Sequence, residues 1–110
     1  MQRLNATNVQ RFVREADLAV VMFGAPESES TMAQAIEFAL IWADNGDTAQ
    51  FGYVDAFENI AAVRAYAIRL LPTTLITRNG EVVAKLEGRQ GSRLLETALR
   101  AASAAHNVAA

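Results

Sequence analysis

The residue types best suited to chemistry in this chain sit together in Pro26-Glu27-Ser28-Glu29-Ser30, which places two hydroxyls and two carboxylates within four positions. A serine hydroxyl attacks a substrate only when a neighbouring base takes its proton. The single histidine, His106, falls at the end of the last expected helix and reads as a solvated tail residue, so Ser28 or Ser30 reads as a helix N-cap. Glu27 and Glu29 could form a carboxylate pair or hold a hard cation, yet a calcium site needs more oxygens in a fixed array. Carboxylates just ahead of a helix more simply complement the positive end of its macrodipole. No catalytic residue, metal or cofactor is therefore expected. Cysteine is absent, which removes disulfides, thiolate metal sites, iron–sulfur clusters and every thiol mechanism from this chain.

The 110 residues suit one domain over 1–110, with a core over about 4–102 and a tail, 103–110, expected to fray. Leu, Ile, Val and Phe make up 29 positions, enough apolar surface to offset the entropy of ordering the chain. A net charge of -2, with the basic residues scattered, offers no cationic stripe, so neither nucleic acid nor an anionic membrane surface is an expected partner. No secretory signal and no membrane span is read, which makes a cytoplasmic location the expectation.

Several elements must hold the 26–30 segment in place. Thr7 can cap a short amphipathic helix over Asn8–Ala16. Leu18–Phe23 is an unbroken apolar run rich in valine, as suits a central strand buried on both faces. A long helix is expected over Ser30–Asn45, a strand over Gln50–Val54, and a helix starting within Asp55–Asn59, running to about Tyr66, with Ile60, Val63 and Ala67 on one side. A strand over Thr74–Thr77 then turns at Arg78-Asn79-Gly80-Glu81. Asn-Gly between two β-prone runs marks a hairpin, because a type I′ turn needs positive φ at both central positions. Val82–Leu86 returns, and a last helix over Ser92–Ala105 carries Leu94, Leu95, Ala98 and Leu99 inward.

The long helix is more apolar than one buried face requires. Two readings stay open for Phe38, Ile41 and Trp42. Either they form an exposed surface for a homodimer or a second partner, or a one-residue shift turns Phe38 and Ile41 into the core.

The element order, the segment Ile68-Arg69-Leu70-Leu71-Pro72-Thr73, the hairpin Asn79-Gly80-Glu81-Val82 and the glycine at 88 together resemble the thioredoxin-like family over about Leu4–Ala102. That resemblance implies a three-layer α/β/α fold whose mixed central sheet ends in a β-hairpin, with a cis peptide bond before Pro72. It also implies that the redox stretch of the family corresponds to Pro26–Ser30, and that the family's buried carboxylate corresponds to Val21. Without sulfur, thiol–disulfide exchange has no intermediate to form.

The expectation is therefore a cysteine-free, redox-inactive member that is not an enzyme and binds a protein or an extended peptide as an accessory chaperone or adaptor. The groove implied by the resemblance is made by Pro26, Glu27, Ser28, Glu29 and Ser30, by Leu71, Pro72 and Thr73, and by Glu87, Gly88 and Arg89, with Arg69 on its rim. Cysteine-free proteins that resemble hydrogenase-maturation chaperones are one concrete model. The alternatives are a glutathione-using enzyme with a serine at the helix N-terminus and a structural subunit of a homo-oligomer.

Overall fold

Seven consecutive buried residues, Leu18–Gly24, form the strand around which the other elements are arranged. The computed structural model describes residues 1–109, with side chains through residue 104. In chain order the elements are β1 (Gln2–Leu4), α1 (Val9–Glu15), β2 (Leu18–Gly24), α2 (Glu29–Asn45), β3 (Gln50–Asp55), α3 (Ile60–Ala65), β4 (Thr73–Arg78), β5 (Glu81–Glu87) and α4 (Ser92–Ala109). The sheet order is β1-β3-β2-β4-β5. β3 runs parallel to both β1 and β2, whereas β4 and β5 are antiparallel to their neighbours.

A strand with no polar face needs cover on both sides. On one side Val20 and Met22 pack with Phe38 and Ile41 of α2 and with Leu95 and Leu99 of α4. On the other, Val21 and Phe23 pack with Val9 and Val13 of α1 and Ala62 of α3. The result is the expected three-layer α/β/α arrangement with a mixed sheet ending in a hairpin. Asn79 and Gly80 both take positive φ, 51° and 88°, as the Asn-Gly signal requires. No helix among the described residues is long and apolar enough to cross a membrane.

Several local expectations are corrected. β1, a strand that the sequence reading does not include, is an edge strand of three residues, too short to show a period, and exists through its pairing with β3. The third helix starts only at Ile60, because Asp55, Phe57 and Asn59 are held in a turn: Asp55 Oδ1 accepts from the Phe57 amide at 3.0 Å, and Asn59 Nδ2 donates to the Asp55 carbonyl at 2.8 Å. Leu94 is exposed rather than inward, and on the third helix's side Ile60 and Ala67 are exposed while Val63 is half-buried. α4 continues to Ala109, beyond the expected end at Ala105. The solvation expected for His106 concerns a side chain outside those described.

The face of α2 is also decided. Phe38 and Ile41 are fully buried together with Thr31 and Gln34, at successive spacings of three, four and three. The surface reading of Phe38 and Ile41 is thus corrected to a core reading, and Trp42 remains partly exposed. The cause is that the polar Gln34 can be buried at no loss. Its Nε2 donates to the Gln90 carbonyl at 2.9 Å, and its Oε1 accepts from the Gln90 amide at 2.6 Å, so both halves of the amide are satisfied. With Gln34 inward, Phe38 meets Phe51 edge-on at 5.4 Å between ring centroids.

Replacing Phe38 by Ala should therefore cost about 3–5 kcal/mol, read as a lowered urea midpoint with an unchanged slope. A surface-like loss below about 0.5 kcal/mol would contradict this packing. The two tyrosine hydroxyls give a pH signature. Burial raises Tyr66 above its usual 10.0, and burial followed by the charges of Asp55 and Glu58 raises Tyr53, with Arg3 opposing. The folded state then holds these protons more tightly than the unfolded chain, so stability is complete below about pH 10 and declines as pH rises above it. Urea titrations at rising pH should show this decline, and a Tyr53→Phe, Tyr66→Phe variant should lose most of it.

Candidate functional site

The end of β2 and the start of α2 are joined by a tightly specified loop. Gly24 closes the strand where an added Cβ would lie 2.5 Å from Thr31 Cγ2, so only glycine lets the first turn of α2 sit this close. The Thr31 hydroxyl accepts from the Ala25 amide at 3.0 Å. The Ser28 amide donates to the Ala25 carbonyl at 2.9 Å, and Ser28 Oγ accepts from the Thr31 amide at 3.4 Å. Ser28 is therefore the N-cap of α2, as its type predicts. The hydroxyl oxygen thus satisfies one of the free amides of the first turn of α2. Ser30 and Glu29 open the helix as exposed residues.

A second segment meets this loop from below. The Leu71–Pro72 peptide bond is cis. Pro72 is buried, and its carbonyl accepts from the Gly88 amide at 2.8 Å. Thr73 is also buried, its hydroxyl donating to the Leu70 carbonyl, so neither side chain is available at the surface. Leu71 is different. It is half-buried, and neither its amide nor its carbonyl has a hydrogen-bond partner among the described residues.

Between the two segments lies an open cleft of about 760 Å³. Of the residues expected there, Pro26, Glu27, Ser28 and Leu71 line it. Glu87, Gly88 and Arg89 do not. Glu87 stands beside Thr73 in the β4–β5 ladder, where Arg69 Nη2 approaches its Oε1 to 3.3 Å, and Arg89 is exposed. Such a solvated pair contributes at most about 1 kcal/mol.

The cleft also takes Arg3, Ala25, Asp55, Phe57 and Glu58, none of which the sequence reading placed there. Their position follows from the end of β3. The Ala56 amide donates to the Gly24 carbonyl at 2.9 Å, and Asn59 Oδ1 accepts from the Ala6 amide at 2.9 Å, which ties the 55–59 turn to both β2 and the end of β1. Arg3 Nη2 lies 3.8 Å from Asp55 Oδ2 and 3.5 Å from Glu58 Oε2. Phe57 is left 72% exposed beside Leu71, and with Ile60 it makes an apolar wall. An aromatic residue in an Asp-Ala-Phe-Glu-Asn turn was the available signal, since an exposed phenylalanine on a loop has no packing role.

What this arrangement can do chemically is limited by its atoms. Val21, at the position the resemblance assigns to a buried carboxylate, is sealed within the apolar cluster shared by α1 and α3. No cysteine stands at the α2 N-terminus. What the cleft offers instead is an unpaired main chain at Leu71, an apolar wall and a mixed-charge rim.

Comparison with known proteins agrees with this geometry. No curated protein matches the sequence. Among solved structures, a thioredoxin of Malassezia sympodialis is 21% identical with a TM-score of 0.84, covering 94% of this chain and 90% of that one. Fasciola hepatica thioredoxin is 24% identical with a TM-score of 0.80, covering 91% and 98%. Mitochondrial thioredoxin 3 of Saccharomyces cerevisiae is 18% identical with a TM-score of 0.83, covering 92% and 94%. At these identities the likeness establishes the fold. The thioredoxin family model, however, matches residues 1–101, and the chain therefore belongs to the thioredoxin family as a member without cysteine.

Proposed function

We propose that this domain is a non-catalytic binding module, an accessory chaperone or adaptor that holds an extended segment of a partner protein and performs no thiol–disulfide exchange. The observation that carries the proposal is the unpaired backbone of Leu71 at the mouth of the 26–28 cleft. A peptide laid beside Leu71 as an added strand can accept from its amide and donate to its carbonyl. Each such bond contributes roughly 0.5–1.5 kcal/mol net, so main-chain pairing alone is weak. Phe57 and Ile60 add the apolar contact that makes it selective. Arg3, Asp55 and Glu58 at the rim influence which partners approach and how fast.

Peptides selected from a random-sequence library against the wild type test this reading. Phe57→Ala should weaken them about tenfold or more without loss of folding, since Phe57 is exposed. N-methylation of the peptide amide that pairs with Leu71 should weaken binding about tenfold, because it removes the donor and leaves the Leu71 carbonyl unpaired. Equal affinity for Phe57→Ala, or indifference to every N-methylation, would reject strand pairing at this cleft. In insulin reduction the wild type should not exceed the uncatalysed rate. Glu27→Cys, Ser30→Cys should show turnover, because a helix N-terminus lowers a thiol pKa where it cannot usefully ionise a hydroxyl.

A further inference from the structure

The burial of Thr31, Gln34, Phe38 and Ile41 leaves the opposite side of α2 facing solvent, and that side is apolar. Met32, Ile36 and Leu40 are 58%, 67% and 53% exposed, and Ala39 and Ala43 are exposed between them. Residues at 32, 36, 40 and 43 follow the three-and-four spacing of one helical stripe. The helix thus has two apolar faces, of which the sheet covers one.

The charges that α2 and the turn after it bring to this face have one sign. Glu29 lies at its start, Glu37 along the side toward α4, and Asp44 and Asp47 at its end, and α2 contains no Lys, Arg or His. The imbalance extends beyond the helix. From Glu15 to Val63 stand nine of the twelve carboxylates of the chain and none of its ten Lys and Arg. Arg3, which reaches the N-terminal end of the face beside Met32, is paired with Asp55 and Glu58. Asp44 and Asp47 stand at the negative end of the α2 macrodipole, where carboxylates destabilise a helix. The helix itself gains nothing from them.

We infer that the outer face of α2 docks a basic amphipathic helix of a partner protein, with an apolar stripe against Met32, Ile36 and Leu40 and flanking Lys or Arg beside Glu29, Asp44 and Asp47. Charge complementarity selects this occupant over a second copy of the chain. Two α2 faces paired antiparallel about a two-fold axis would set Glu29 of one copy near Asp44 of the other, and a parallel pairing would set each carboxylate against itself. A helix bearing Lys or Arg on both flanks of an apolar stripe relieves both costs at once. This surface is separate from the Leu71 cleft and does not rest on the reading given to that cleft.

Trp42, the single tryptophan, borders the face at 40% exposure and reports its occupation by fluorescence. The probe is an amphipathic Leu/Lys peptide of about 18 residues, long enough to form a helix on contact, compared with its Leu/Glu counterpart. The Leu/Lys peptide should shift Trp42 emission saturably, more weakly at about 0.5 M than at about 0.05 M salt, and the Leu/Glu peptide should not. Ile36→Ser, Leu40→Ser should weaken binding about tenfold or more, and Asp44→Lys, Asp47→Lys at least about threefold. Phe57→Ala should leave this binding within about twofold, which separates it from binding at the cleft. Unchanged affinity in Ile36→Ser, Leu40→Ser, equal binding of the Leu/Glu peptide, or loss that follows Phe57→Ala instead would each overturn the inference. A wild-type dimer by light scattering that Ile36→Ser, Leu40→Ser converts to monomer would assign the face to a second copy and likewise overturn it.

Discussion

The burial of β2 on both faces constrains every other part of this structure. Its seven residues offer no polar side to water, so the chain must bring helices to both faces of the sheet. Val20 and Met22 demand α2 and α4 on one side, and Val21 and Phe23 demand α1 and α3 on the other. The same strand ends at Gly24, where α2 begins almost in contact. The position of the candidate site therefore follows from core packing, and hydrogen bonds within the loop then fix its shape.

That dependence explains how a member of a redox family can keep its shape without its sulfur. The α2 N-terminus is held by the Ser28 cap, by the Thr31 hydroxyl and by the close approach at Gly24, none of which needs a thiol. The second wall is held by the Pro72–Gly88 hydrogen bond and by the buried Thr73. Val21 adds to this, because an apolar side chain packed in the core fills the position the resemblance gives to a buried carboxylate. What survives is a cleft with an unsatisfied main chain on one side and an aromatic residue on the other.

α2 shows how one polar residue redirects a whole helix. Because both ends of the Gln34 amide are matched by Gln90, the stripe containing Gln34 becomes the inner one, and Met32, Ile36 and Leu40 are turned to solvent. Judged by hydrophobicity alone, either stripe could have been chosen. Glu37, whose carboxylate accepts from the Ser92 amide at 2.9 Å, reinforces the choice by joining α2 to the start of α4.

Local chemistry made much of the fold legible. The valine-rich run of β2, the Asn79-Gly80 turn with its positive φ values, the capping type at Ser28 and the absence of cysteine all act over a few neighbouring positions and need no distant partner. That Leu71 and the 26–28 loop face one another was legible only through resemblance. Other features had no local trace at all. β1 is three residues that become a strand by pairing with β3, Phe57 enters the cleft because Asn59 and Ala56 are bonded to distant backbone, and the inner face of α2 depends on Gln90, 56 positions from Gln34. The amino-acid order by itself determined which chemistry this chain lacks and which segments turn, coil or extend. Which surfaces meet was decided only in three dimensions, because hydrogen bonds and packing between remote residues outweigh the small local preferences that a sequence displays.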